Sequence, residues 1–209
     1  MLNPYLRLAS GLLDIDGNNY PIIKIGNQIW MKENLRVSRY RNGDLIPNVT
    51  DNTAWGTLTS GGRSWYNNDS TNNENPYGNL YNWYAVTDSR GLCPSGWHVP
   101  SDSEWDVLTN SLGGLSVAGG KMKSVGTTYW ISPNKGATNE SGFSALPGGC
   151  RGNDGNFYNI LGYAFFWSAT EFDNANAWYR YINHNFADVY RNYNDASKAG
   201  GATVRCLKD

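Results

Sequence analysis

The residues of this 209-residue chain that could carry chemistry are few. They include two histidines, His98 and His184, and three cysteines, Cys93, Cys150 and Cys206. No nucleophile pattern lies near His184, so it reads as an exposed contact residue rather than a catalytic base. No Cys-x-x-Cys occurs, and two histidines do not complete a structural zinc site. Three cysteines cannot all pair within one chain. Cys93 precedes a helix start and Cys206 lies in the last apolar strand. A bridge between them would close a loop of more than a hundred residues and add about 4–5 kcal/mol on the chain-entropy model. The other reading keeps three buried free thiols in a reducing compartment. Asp14-Ile-Asp-Gly17 begins like a calcium loop, but it lacks the closing Glu and the flanking helices, so it reads as a turn. No serine elbow supports hydrolysis. These residues therefore call for no metal, no cofactor and no catalytic group.

A second set of residues offers contact rather than catalysis. Residues 151–197 combine Asn with six of the 14 Tyr and five of the 6 Phe. Within them Trp178-x-Arg180-x-Ile182 and Val189-x-Arg191 form a frame. Between and after the frame residues stand Tyr179, Tyr181, Asn183, His184, Asn185, Phe186, Asp188, Tyr190, Asn192, Tyr193 and Asn194. Period 2 on a strand puts the interleaved residues on the face opposite the frame. Tyr offers a large, stiff contact area with a polar tip, and Asn and Ser give adaptable hydrogen bonds, so this composition resembles a paratope. Phe172 and Asn174 join the candidate ligand-binding set, and Tyr181, Phe186 and Tyr190 would be its anchors. Phe165, Phe166, Trp167 and Trp178 are expected in the core.

The elements that must position these residues are short. Residues 20–25 and 28–31 form a hairpin about Gly26-Asn27. Residues 42–79 read as a long irregular region anchored by Trp55, Trp65 and Tyr66. Residues 80–86 read as a short buried helix. Ser101 and Glu104 make a capping box, Trp105, Leu108 and Leu112 form one stripe, and Gly113 ends the helix, predicting a helix over 101–112. Strands are expected at 128–131, 142–146, 165–170, 177–182, 187–191 and 202–207, the last third forming a meander. Residues 1–13 form an N-terminal extension, a docking strand or a partner-binding helix able to build a homo-oligomer. They lack the basic start and long apolar core of a secretory signal.

Composition narrows the function classes. Charged residues make up 17%, below the roughly 25% of an average soluble protein. Polarity comes instead from 27 Asn, 24 Gly and hydroxyl groups. A net charge of −1 leaves no basic surface for nucleic acid. No run of 18 apolar residues exists to insert into a membrane.

Five motifs then carry a resemblance: Asp14-Ile-Asp-Gly-Asn18, Ile25-Gly-Asn-Gln-Ile-Trp-Met-Lys-Glu-Asn-Leu35, Leu80-Tyr-Asn-Trp-Tyr-Ala85, Cys93-Pro-Ser-Gly-Trp-His-Val-Pro100 and Val204-Arg-Cys206. Together they resemble the Fibrobacter succinogenes major paralogous domain, abundant in Bacteroidetes, over residues 14–209. The resemblance implies an α+β, C-type-lectin-like domain: twisted antiparallel sheets, two short helices and long irregular loops. It also implies a surface location, on a bacterial cell or a phage particle. Some similar proteins are variable proteins of diversity-generating retroelements, which rewrite Asn codons into others ending in a pyrimidine. Such rewriting never yields Lys, Glu, Gln, Met or Trp, and residues 151–197 hold only Trp167, Glu171 and Trp178 of these types. The expected function is receptor binding or adhesion to a protein or glycan on a target cell. The alternative is an undiversified, carbohydrate-associated surface domain. The fold's calcium–sugar triplets are missing, and Phe172-Asp-Asn174 is a poor substitute. A distant resemblance to formylglycine-generating oxidases would need Cys150 and Cys206 to hold copper, but Cys206 fits better as the partner of Cys93.

Overall fold

The computed structural model describes residues 11–194 and 196–209. Near its start, β1 (Leu12–Leu13) pairs antiparallel with β2 (Asn19–Tyr20). Asp14 makes the turn between them. Its carboxylate accepts the backbone N–H groups of Asp16 and Asn18 and the Tyr20 hydroxyl, a local side-chain turn that needs no ion. The expected extension over 1–13 thus ends as a paired strand, and its residues 1–10 lie outside the described ones. The hairpin β3 (Ile22–Ile25) and β4 (Gln28–Met31) follows, with Gly26 at φ 58° in its tight turn.

The irregular region is more ordered than its composition suggested. It holds α1 (Asn52–Gly56), β5 (Arg63–Ser64) and α2 (Ser70–Tyr77). Asp51 and Asp69 cap the two helices by accepting from Ala54 and Asn72. Trp55 and Tyr66 are buried anchors, as expected, while Trp65 is only half-buried. The helix expected over 80–86 is instead β6 (Leu80–Asn82) followed by α3 (Trp83–Val86). Asn82 makes the switch: its side chain accepts from Ala85 to start the helix and also from Gly62 across the sheet.

After β7 (Trp97–His98) comes α4 (Asp102–Ser111), with both halves of the Ser101–Glu104 capping box formed. The sequence reading did not foresee α5 (Leu115–Met122), because Gly119 and Gly120 are poor helix formers. The structure requires them: a Cβ on Gly119 would strike the backbone of Asp188, and one on Gly120 would strike the Gly136 carbonyl. The segments 128–131 and 142–146, expected as strands, are irregular. Their Trp130, Phe143 and Ala145 are nonetheless buried, and β-propensity reports that burial rather than pairing.

The C-terminal part holds β8 (Gly148–Arg151), β9 (Phe157–Ile160), β10 (Tyr163–Glu171), β11 (Ala177–Asn183), β12 (Tyr190–Asn192), β13 (Gly201–Ala202) and β14 (Leu207–Lys208). The meander β10–β11–β12 matches expectation, although β12 is shorter than 187–191. The single strand expected over 202–207 is two strands in different sheets. One sheet has the order β12-β11-β10-β8-β13-β6-β5, with β9 paired to β8. The other has the order β3-β4-β14-β7. Only β10 with β8 pairs in parallel among these named strands. The chain is thus mixed α/β, with mostly antiparallel sheets and short helices.

Cys93 and Cys206 form a disulfide with their Cα atoms 6.0 Å apart, and Cys150 is free. Buried cations hold the irregular backbone between these elements. Arg205 donates to the carbonyls of Met31, Phe143 and Ser144 and to the Asn34 side chain. Arg151 donates to the carbonyls of Val49, Thr50 and Gly155. Such contacts satisfy carbonyls that no ladder reaches.

Candidate functional site

Strand β11 separates two environments. Trp178, Arg180 and Ile182 face α4, with Arg180 and Ile182 fully buried. Arg180 donates to Asp102 and to Asp106, both at 2.6 Å. On β12, Arg191 sits opposite Arg180 and donates to the other Asp102 oxygen at 2.7 Å. Burial pushes the Asp102 carboxyl up, but the two guanidinium groups outweigh it and its pKa lies below the usual value. One carboxylate at the start of α4 therefore fixes two neighbouring strands.

Tyr179 and Tyr181 point the other way, Tyr179 into the core with Trp83, Trp167 and Ala202 and Tyr181 half-buried beside it. There they meet Tyr163, Phe165 and Trp167 of β10, placed on the same face by the pairs Phe165–Tyr181 and Trp167–Tyr179. Tyr163 and Phe165 lie almost parallel, with ring centres 5.7 Å apart. Tyr181 is 5.7 Å from Phe165 and stacks on Tyr190 of β12 at 4.6 Å. These rings floor a cleft of about 450 Å³. Its walls are neutral amides and hydroxyls, chiefly Asn153, Tyr158, Asn159, Asn192 and Ser197. Tyr179 is only 9% exposed, because its ring is the deeper part of the floor. Its hydroxyl donates to the Asn194 carbonyl and accepts from the Asn192 amide.

The thirteen residues named from the sequence do not form one surface. Tyr179, Tyr181 and Asn192 line the cleft, and Tyr190 extends its aromatic floor. Phe186, 47% exposed, packs edge-on against Tyr190. Phe172 and Tyr193 stack at 3.7 Å near Trp178, on the α4 side, and Arg191 lies 3.5 Å over the Trp178 ring. Asn183 is a correction: it is buried, and its side chain accepts from the Asn185 backbone, so it shapes the 183–186 turn rather than meeting a ligand. His184 is half-buried, its Nδ1 bound to the Ser132 carbonyl at 3.0 Å and its Nε2 3.0 Å from the Asn185 amide. Asn174 lies in an exposed turn whose carbonyl accepts from Lys198. Asp188 is half-buried against α5, and Asn194 is exposed.

The loop carrying His184, Asn185 and Phe186 hangs on Lys123. This side chain is fully buried, and its Nζ donates to the carbonyls of Lys135, Asn183 and Phe186 at 2.8, 3.0 and 2.8 Å. Burial pushes its pKa down to about 8.

The sequence reading missed half of the cleft. Phe165 and Trp167 were expected in the core. Phe165 is only half-buried, whereas Trp167 is in the core as expected and also borders the cleft. Applying period 2 to 163, 165 and 167, as to 179 and 181, finds all three. The β8–β9 residues Cys150, Asn153, Asp154 and Asn159 carry no such signal, because a short hairpin brings them over the floor. Burial pushes the Cys150 thiol up to about 12, which keeps it protonated. Cys206 is bonded to Cys93 and so is not available to Cys150. Among the described residues no three His, Cys, Asp or Glu side chains converge as metal ligands, and no helix is long and apolar enough to cross a membrane.

No curated protein matches the chain. The hairpin, the Arg205 hub beside Cys206 and the Cys93–Cys206 bond hold together the motifs that suggested a family, and the model of that family matches residues 23–208: this protein belongs to the Fibrobacter succinogenes major domain family.

Proposed function

We propose that the protein is a binding module that recognises a protein or glycan on a target cell through the cleft face of β10, β11 and β12. The observation that carries this reading is the division of β11. One side is fixed by Asp102 and its two arginines, while the other presents rings and amides to solvent. Large stiff rings beside short amides are the chemistry of adaptable recognition. The reading includes a C-type-lectin-like fold, supported by two sheets joined through the last segment and by the disulfide that ties it to the loop before β7. It includes diversification of the Asn- and Tyr-bearing positions by a retroelement, supported by the frame at Arg180, Ile182 and Arg191, which stays on the far face. It also includes a place on a bacterial surface or phage particle, supported by a disulfide of the kind kept in oxidising compartments. The alternative, an undiversified carbohydrate-associated domain, uses the same cleft.

Two experiments test this. Binding to cells and to arrays of surface proteins and glycans is compared for the chain and for Tyr181→Ser/Tyr190→Ser. Loss of capture by the variant, with cooperative unfolding retained well above the assay temperature, is expected; equal capture would sink the cleft reading. For diversification, a reverse transcriptase gene and an imperfect repeat of the codons for 170–206 are expected beside the gene, and their absence removes that part alone.

A further inference from the structure

Resting on the cleft as the binding face, we propose that its ligand is a neutral saccharide, stacked on the ring floor and held without a metal ion. The floor is two ring pairs: Tyr163 and Phe165 lie within 10° of parallel and Tyr181 and Tyr190 within 5°, and Tyr181 is inclined by 40° to Tyr163 and by 38° to Phe165. A floor of aromatic rings suits a ligand with an apolar face. The rim is amide and hydroxyl, so the edge of that ligand must exchange hydrogen bonds. Tyr163 and Tyr181 line the cleft half-buried, and their hydroxyls make no hydrogen bond among the described residues. A pyranose has this pattern of apolar faces and hydroxyl edges.

The alternatives fit less well. The two charged lining side chains are already engaged. The Asp154 carboxylate accepts from the Tyr158 hydroxyl at 2.6 Å and from both the backbone and the side chain of Asn156. The Arg151 guanidinium turns away to the carbonyls of Val49 and Thr50. A phosphorylated ligand therefore meets no free cation among the described lining residues. A lipid tail would cover the rim amides and hydroxyls and take them out of water without offering them a hydrogen bond. A peptide cannot add as a strand to β10 or β11, which are paired on both edges, and is left only the three-residue edge strand β12.

The test is an amide-resolved NMR titration of the full chain with methyl α-mannoside, cellobiose and N,N′-diacetylchitobiose, with glucose 6-phosphate and a proline-rich peptide as controls. At least one neutral saccharide is expected to shift the signals of Tyr163, Tyr181 and Asn192 and to do so equally in EDTA. Tyr181→Ala should weaken it about tenfold or more, and Tyr181→Phe should retain most of the affinity. Asn192→Ala, at the rim, should weaken it as well and serves if Tyr181→Ala does not fold. Shifts lost in EDTA, shifts with a control alone, or none from any neutral probe at about 10 mM would each overturn the saccharide assignment. If the Tyr181→Ser/Tyr190→Ser variant still loses cell capture in that last case, the binding face stands and only its ligand class is wrong.

Discussion

On one side of β11, Arg180 is fully buried between Asp102 and Asp106, and Ile182 is sealed in the cluster with Trp105, Phe166 and Val189. On the other side, Tyr181 touches Tyr163, Phe165, Tyr179 and Tyr190 through ring faces and edges alone. The first side depends on charge, shape and hydrogen bonds fitting together. The second depends on little beyond size. A buried ion pair loses several kcal/mol when one member goes, because the other is left uncompensated. A half-exposed ring loses only its contacts. The side braced by charge and the proposed binding face thus lie on opposite sides of a single strand.

That contrast can be broken by experiment. Arg180→Ala should cost the most, about 3–5 kcal/mol in denaturant unfolding, since it strands Asp102 and Asp106; a loss below about 1 kcal/mol would deny the α4 side its special role. Lys123→Met should cost about 2–3 kcal/mol by leaving three carbonyls without their donor, and it should raise amide exchange across 183–186. Tyr181→Ser should cost about 1–2 kcal/mol of stability while sharply weakening binding. Tyr190→Ser, nearer the edge, should stay within about 1 kcal/mol of the parent. If either tyrosine matches Arg180 in stability, the two sides are not distinct.

The smallest effect concerns pH at the start of α4. The His98 ring bonds Asp209 at 2.6 Å and Glu104 at 3.0 Å. Partial burial pulls its pKa down, but the hydrogen bonds to Asp209 and Glu104 outweigh this and the net shift is upward. A raised folded value means that the stabilisation is complete below the unfolded value near 6.5 and is lost as pH rises through the folded one. The melting temperature of the parent should therefore fall relative to that of His98→Gln between about pH 6 and pH 8. The difference should be small and shrink with salt, because the group is more than a third exposed. A difference that grows with pH would reverse the assignment.

Local signals were legible where they were self-contained. The Gly26 turn, the Ser101–Glu104 capping box and the alternation of β11 each specify an element within a few residues. Residues 80–86 failed because Asn82 ends a strand and begins a helix at once. Residues 142–146 failed because Phe143 is buried by α4 and Arg205 rather than by strand partners. In the site, Tyr179 and Tyr181 were readable from period 2. Asn183 was not, since its role is set by a turn and by Lys123 from a distant segment. The hairpin wall at Asn153 and Asn159 depends on tertiary closure alone.

The grip of Lys123 on the 183–186 loop is blind to sequence. It holds carbonyl oxygens, and every residue type supplies one. His184, Asn185 and Phe186 can be exchanged for other side chains while the handle that fixes their backbone stays the same. A loop built in this way uncouples the position of a residue from its identity, so its contact surface can be rewritten without redesigning what carries it.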